Sequence, residues 1–233
     1  MTRTRLRSAV KHNPPGIEFE RGRWDAGDAV VAGIDEVGRG SWAGPLTLAA
    51  VVIPRDRRLY KIRDSKMLRP SERESMHDRV REWASHVAVA HVSAQECDAL
   101  GMSQAQKVAA GRALDALGVS VDHVLVDGNW DFVESVPVTT MVKGDARSVS
   151  IAAASIVAKV TRDRLMRGWH TRYPPYAFAS NKGYPCARHK AALAAYGPSQ
   201  LHRRRWSFVD DLRWTGVHRV AGTGGDGPQT GLF

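Results

Sequence analysis

Two adjacent carboxylates, Asp35 and Glu36, close a short apolar run and are followed at once by Gly38-Arg39-Gly40. Paired acids at a strand terminus can hold a hard divalent cation through oxygen, and a glycine-rich turn can bring backbone N–H groups close to a phosphate or a sugar hydroxyl. That combination points to metal-dependent chemistry on a nucleic acid, although the stretch taken alone reads equally as a solvated strand end with turn glycines. Two more acids stand in the same kind of place: Asp127 after His123-Val124-Leu125-Val126, and Asp145 after the run from Val136 to Val142. Singly, Asp127-Gly128 and Gly144-Asp145 have the composition of ordinary turns. Together, four acids converging at one sheet edge repel one another unless cations neutralise them. Two divalent ions a few Å apart would make such a cluster a catalyst of phosphodiester displacement, one activating water and the other stabilising the leaving oxygen.

The elements that must position these acids follow from pattern and punctuation. Val30 to Ile34 is too short and apolar for anything but a buried strand, and it delivers Asp35 and Glu36 at its end. Pro45 to Ile53, closed by Pro54, is a second strand, so the intervening glycine turn makes a hairpin. His86 to Val92 alternates as a third strand. Ser93 to Leu117 reads as helical, with Gly101 and Gly111 as weak points, and Ile151 to Met166 is an alanine-rich helix with Ser150 placed to cap it. Three strands, a helix, two strands and further helices predict an α/β fold, a mixed sheet with helices on its faces. Residues 1–28, basic and broken by Pro14-Pro15-Gly16, read as a flexible extension; 29–208 form the catalytic domain; 209–233, glycine-rich, read as a flexible tail.

Composition narrows the partners. Lys and Arg number 34 against 24 Asp and Glu, a net charge of +10 that favours polyanions, although arginine's 26 residues against 8 lysines also fit a GC-rich coding bias. Cys97 and Cys186 lie far apart without a Cys-x-x-Cys or a histidine cluster, which indicates neither zinc site nor disulfide framework and fits a reducing, cytoplasmic setting. No apolar run approaches the roughly 20 residues that span a bilayer, so no membrane role is expected.

Six blocks occur in a fixed order: Gly33-Ile34-Asp35-Glu36-Val37-Gly38-Arg39-Gly40, Asp64-Ser65-Lys66, Val126-Asp127-Gly128-Asn129, Val142-Lys143-Gly144-Asp145, Ala153 to Asp163, and Lys182-Gly183-Tyr184-Pro185. In this order they resemble bacterial ribonuclease HII, the type 2 ribonucleases H, over roughly Val30 to Phe208. The resemblance implies a ribonuclease H-like sheet with a helical C-terminal part. It implies Asp35, Glu36, Asp127 and Asp145 as catalytic acids and ligands of a two-metal Mg2+ or Mn2+ site. It further implies hydrolysis of the phosphodiester on the 5′ side of a ribonucleotide, in RNA/DNA hybrids or in duplex DNA with embedded ribonucleotides. The ends left are a 3′-hydroxyl and a 5′-phosphate, a role in replication and repair that a monomer would perform. By the same resemblance, backbone groups of Gly38, Arg39 and Gly40 read the ribose 2′-OH, the group that separates RNA from DNA, and Tyr184 stacks on the following sugar. From the residues alone Tyr184 reads as a packed aromatic beside Pro185. Lys66 is expected at a backbone phosphate. Ser155, Lys159 and Arg162 share one helix where phosphate contact and pairing with Asp163 both remain open. Asn181 departs from the pattern, since family members often carry histidine before this lysine.

Gly38, Gly40 and Ala43 also satisfy a loose dinucleotide fingerprint, but that fingerprint must open a helix and here a β-branched strand follows. A non-catalytic nucleic-acid-binding module would explain the charge, yet four convergent acids weaken phosphate binding. The last five residues, Gln229 to Phe233, resemble the peptide by which bacterial replication and repair proteins dock on the sliding clamp, with Gln229 supplying a hydrogen bond and Leu232 and Phe233 an apolar anchor.

Overall fold

The computed structural model describes residues 14–210; the proposed clamp peptide at Gln229, Leu232 and Phe233 lies outside the described residues. In chain order the elements are α1 (Glu18–Asp25), β1 (Val31–Val37), β2 (Leu46–Val52), α2 (Pro70–Trp83), β3 (His86–Val92), α3 (Ala94–Leu100), α4 (Met102–Asp115), β4 (His123–Asp127), β5 (Val138–Met141), α5 (Val149–His170), α6 (Phe178–Asn181) and α7 (Ala187–Tyr196). The five strands form one mixed sheet in the order β3-β2-β1-β4-β5. β1 runs antiparallel to β2 and parallel to β4, and β4 runs parallel to β5. No helix among the described residues is long and apolar enough to cross a membrane.

The chain folds as two compact units. Among the described residues one comprises 14–37, 47–90 and 109–160, and the other 38–46, 91–108 and 161–210. The first unit is built on β2, buried along its whole length as an interior strand must be, and on the opening turns of α5. Ala152, Ala153, Ala154, Ile156, Val157, Ala158 and Val160 of α5 pack with Ala49, Val51, Met76, Val80 and Trp83 in one apolar cluster. Small residues let this helix approach closely, and at Gly33 of β1 a Cβ would run into the Ser150–Ile151 backbone. The second unit has its own core, in which Ala43, Met166, Tyr176, Phe178, Leu193, Phe208 and Val209 meet.

Several expectations need correcting. Residues 16–28 are not a loose extension: α1 docks through Glu20, which is fully buried and accepts from the Ser148 hydroxyl at 2.6 Å and the Ser150 amide at 2.8 Å. A carboxylate at the start of a helix answers both free N–H groups and the helix dipole, a gain invisible from α1's own polar sequence. Ser150 is accordingly inside α5, and Ser148 is the residue whose hydroxyl accepts from the third helical amide, Ile151, at 3.2 Å. The helix read from Ser93 to Leu117 breaks at Gly101 and continues unbroken through Gly111. Val209, assigned to the tail, belongs to the core of the second unit.

Candidate active site

The parallel register explains how distant acids meet. Ile34 lies opposite Val126, so Asp35 and Asp127 emerge side by side at the ends of neighbouring strands. β5 follows on the far side of β4 and hands the chain to the turn Gly144–Ala146, which carries Asp145. That turn is anchored where Gly144 N–H donates to Asp127 Oδ1 at 2.7 Å, and Lys143 enters it at φ 58°, a backbone strain for a non-glycine residue. Strain at a carboxylate-bearing turn is tolerated when the surroundings fix it, as the Asp127 contact does here.

All four sequence-identified acids lie in the first unit, and Asp35 and Asp145 feel the charges of their neighbours. Asp35 is held well above its ordinary value, first by burial, then by the charges of Glu36 and Asp127 and, after a counteracting hydrogen bond from Ser155, that of Asp145. Asp145 is pushed up to about 6 by burial, by Asp64 and by Asp127, against the pull of Lys66. It is 3% exposed and its Oδ2 has no hydrogen-bond partner; the Lys66 ammonium stands 3.5 Å from that oxygen. Lys66 loses some basicity to burial but more than regains it from Asp145, Asp64, Asp35 and Asp127, so it is held above its ordinary value.

Hard cations fit this chemistry. Every candidate donor is a carboxylate oxygen, one buried oxygen is orphaned, and the repulsion that raises Asp35 and Asp145 is what a cation would relieve. Among the described residues no three His, Cys, Asp or Glu side chains are gathered round one point as a ligand group. The backbone thus brings the acids to one edge, while their side chains answer local donors, Asp35 the amide of Glu36 at 2.8 Å and Asp127 that of Gly144.

Other expected contacts divide. Ser155 is not open to a phosphate: it is buried, its hydroxyl lies 2.8 Å from that of Ser65, and it donates to Asp35. It orients a carboxylate. Lys159, one turn further along α5, is half-buried. Asp64 escaped sequence reading as an acid of the cluster; its Oδ1 accepts from the Lys66 amide at 2.7 Å, and its charge acts on Asp145.

In the second unit the structure brings together Gly38-Arg39-Gly40 and the segment before Tyr184. Arg162, fully buried, neither sits at the surface for a phosphate nor spends itself on an acid alone. It donates to the carbonyls of Pro45 at 2.8 Å, Lys182 at 2.8 Å and Ala43 at 2.9 Å, and to the Ser41 hydroxyl at 2.7 Å. Burial lowers it to about 10, so it stays charged at neutral pH. Arg203, equally buried, donates to the carbonyls of Arg39 at 2.8 Å and Gly44 at 3.1 and 3.2 Å. Gly183 accepts from the amides of Trp42 and Ala43. Gly38, at φ 92°, must lack a side chain for a reason the sequence did not show, because a Cβ would strike the Arg162 guanidinium. Arg39 and Gly40 remain exposed, and the Tyr184 ring lies 5.6 Å from the Arg162 guanidinium carbon.

Comparison with known proteins bears on the same residues. A family model described as Ribonuclease HII matches residues 32–209, which takes in Asp35, Glu36, Asp127 and Asp145 as well as Gly38 to Gly40 and Tyr184. The chain belongs to the ribonuclease HII family. It is 42% identical over 214 residues to a ribonuclease HII of Streptomyces avermitilis, covering 91% of this chain and 92% of that one. Among solved structures it resembles a ribonuclease H2 from Pyrococcus horikoshii at 29% identity and TM-score 0.68, over 78% of this chain and 96% of that one. It also resembles the ribonuclease HII of a PCNA:RNase HII complex from Archaeoglobus fulgidus at 26% identity and TM-score 0.67, over 80% and 98% of the two chains. As a ribonuclease HII relative the chain is a hydrolase of the ribonuclease H kind, and its mixed five-stranded sheet is the ribonuclease H-like fold.

Proposed function

We propose that this ribonuclease H is a metal-dependent endonuclease that hydrolyses the phosphodiester 5′ of a ribonucleotide, in RNA/DNA hybrids and in duplex DNA with embedded ribonucleotides. The products are a 3′-hydroxyl and a 5′-phosphate. The observation that carries this reading is the delivery of Asp35 and Asp127 by neighbouring parallel strands to one edge, with Asp145, raised to about 6 first by burial and then by Asp64 and Asp127, on the turn after the next strand. Asp35, Glu36, Asp127 and Asp145 would hold Mg2+ or Mn2+, which when bound supplies charge neutralisation and water activation. The chain's own work is to keep these acids together against their repulsion. Ser155 donates to Asp35, Gly144 N–H fixes Asp127, and Lys66 offsets charge beside Asp145. Gly38, Arg39 and Gly40 are assigned to the ribose 2′-OH and Tyr184 to the sugar of the next nucleotide. In support, Arg162 ties the two segments together through the carbonyls of Ala43 and Lys182, and Arg203 holds the first of them through the carbonyls of Arg39 and Gly44. Lys66 and Lys159 are assigned to the nucleic-acid backbone.

The test is cleavage of three labelled duplexes of one length: all DNA, DNA with one ribonucleotide, and a continuous hybrid, each with Mg2+, Mn2+ or chelator. Cuts 5′ to the ribonucleotide that vanish in chelator and in Asp35→Asn are expected. Cleavage of the all-DNA duplex at an equal rate would overturn the assignment.

We further propose that the enzyme works in the cytoplasm as a monomer and docks on the sliding clamp through Gln229, Leu232 and Phe233, a short apolar anchor on a glycine-rich tether that raises its effective concentration on DNA. The Archaeoglobus relative in complex with PCNA supports the partner class. Removal of residues 229–233 should abolish clamp binding and spare cleavage in clamp-free solution. Clamp binding that survives the truncation rejects the assignment.

A further inference from the structure

A buried chain of hydrogen bonds in the second unit ends on the main chain of Tyr184. His189 of α7 sets Nδ1 2.9 Å from the Tyr184 carbonyl oxygen and Nε2 2.9 Å from Nε2 of His202. His202 in turn places Nδ1 2.9 Å from the Ser199 amide and 2.8 Å from the Ser199 hydroxyl. Both imidazoles are fully buried among Trp42, Tyr176 and Phe178.

The proton positions follow from what each partner can do. A backbone N–H only donates, so Nδ1 of His202 accepts, and a neutral ring then carries its proton on Nε2. That N–H donates to Nε2 of His189, which leaves the His189 proton on Nδ1, pointing at a carbonyl that only accepts. One tautomer of each ring satisfies the amide, the ring-to-ring and the carbonyl contacts. An added proton on either ring would set N–H against N–H, and burial keeps both rings below their ordinary value, His202 at about 3, where a charge on His189 and that of Arg204 oppose protonation further.

The Tyr184 segment needs such a hold. Lys182 and Gly183 both adopt left-handed backbone, at φ 54° and 83°. Their carbonyls are taken by Arg162 and by the amides of Trp42 and Ala43. At Tyr184 itself, His189 is the side-chain donor to the carbonyl among the described residues.

We propose that His189 and His202 are positioning residues that fix the Tyr184 main chain, and through it the direction of the ring, so that they set discrimination for the ribonucleotide junction. The inference rests on the reading of Tyr184 as the residue that senses that junction. A ring moved by about 1 Å is enough to cost orders of magnitude in rate on the substrate it should engage, with little effect on attraction to duplex in general.

The experiment compares His189→Leu, which removes the donor, with His189→Asn, whose amide can still donate from the Nδ1 position. Each is measured for kcat/KM on a single-ribonucleotide duplex, for affinity toward an all-DNA duplex and for its thermal midpoint, alone and in a Tyr184→Ala background. The expected result is a loss of about tenfold or more in kcat/KM for His189→Leu, with all-DNA affinity within about twofold, most of the rate restored in His189→Asn, and no further loss when Tyr184→Ala is already present. Equal losses on both duplexes, no rescue by His189→Asn, or the same loss in the Tyr184→Ala background would overturn the proposal. If Tyr184→Ala keeps full discrimination, the reading of Tyr184 fails and this inference with it; if Tyr184→Ala loses discrimination while His189→Leu keeps it, only this inference fails. Should His189→Leu not fold, His202→Phe, which deprives His189 of its partner from one residue away, carries the same comparison.

Discussion

Replacing Asp145 by Asn separates what the acid cluster costs the fold from what it does. Asp145 is almost wholly buried, its Oδ2 lacks a hydrogen-bond partner, and its carboxyl is raised from an ordinary 3.8 to about 6 by burial, Asp64 and Asp127 despite Lys66 at 3.5 Å. Two pH units correspond to ~3 kcal/mol of disfavour for the ionised form in the folded protein. Because the folded value lies above the unfolded one, the folded state binds the extra proton between about pH 4 and 6. Stability from this group is therefore present at low pH, falls through that window and is fully lost above about 6. An amide of nearly the same shape brings no charge and still offers an N–H toward Asp64. In chelator at pH 8, Asp145→Asn should be more stable than the parent by ~1–3 kcal/mol, a rise of ~3–10 °C in Tm for a chain of this size, and at pH 4 the two should coincide. Added Mg2+ or Mn2+ should raise the parent's Tm but not the variant's, whose cleavage is lost. Calorimetric melts in the two buffers, with and without metal, decide the matter. A variant that melts below the parent in chelator at pH 8 refutes the reasoning, since Asp145 would then be an acceptor on which the fold depends.

Asp35→Asn and Asp127→Asn are each expected to lower turnover by at least about a thousandfold while duplex affinity, followed by gel shift, stays equal or rises, because negative charge near phosphates has been removed; parent-like turnover rejects the catalytic assignment. Gly33→Ala should cost about 1–3 kcal/mol or more in denaturant unfolding, since the new Cβ meets the Ser150–Ile151 backbone; an unchanged midpoint would mean that α5 can retreat from β1 freely. The buried His189–His202 pair should make the protein acid-sensitive. With His202 lowered to about 3 by burial, the folded state binds fewer protons than the unfolded one, so this stability is present above about pH 6.5 and lost as pH falls toward 3, at ~1.4 kcal/mol per pH unit for His202 alone. His202→Phe should flatten that part of the slope, and an identical pH dependence in parent and variant would count against neutral rings.

The grouping of the acids was legible because topology leaves local marks. A strand that ends in a carboxylate shows in a few residues, and parallel strands place their C-terminal ends at one edge whatever the intervening chain does, so Asp35, Asp127 and Asp145 could be grouped before their contacts were seen. α2 carried usable marks that went unread: Pro70 at the first helical position, Glu72 reaching back to the Arg69 amide at 2.7 Å, and Met76, Val80 and Trp83 buried on one face. α1 carried fewer, since its buried polar contact is a glutamate meeting a helix start more than a hundred residues away, and Phe19 and Trp24 pack against cores built from distant strands and helices.

What stayed hidden is polar burial. Arg162 sits in a helix beside Lys159, Arg164 and Arg167, and Arg203 opens a run of three arginines, settings in which a solvated cation is the ordinary reading. Only folding shows that these two have exchanged water for carbonyl oxygens. That exchange is tolerable because each guanidinium meets several acceptors at once, and it fixes irregular backbone that no strand or helix could hold. Ser155 and the two histidines follow the same logic, each buried with its hydrogen-bonding capacity used on a neighbour that matters for the site. The acids that meet at one sheet edge are thus readable from type and spacing, whereas the buried residues that hold neighbouring groups in place are defined by their partners. Substrate discrimination should accordingly be altered more readily at buried Arg162, His189 or His202 than at the exposed lysines, because a surface cation changes general attraction to the duplex and a buried anchor changes where the recognising groups point.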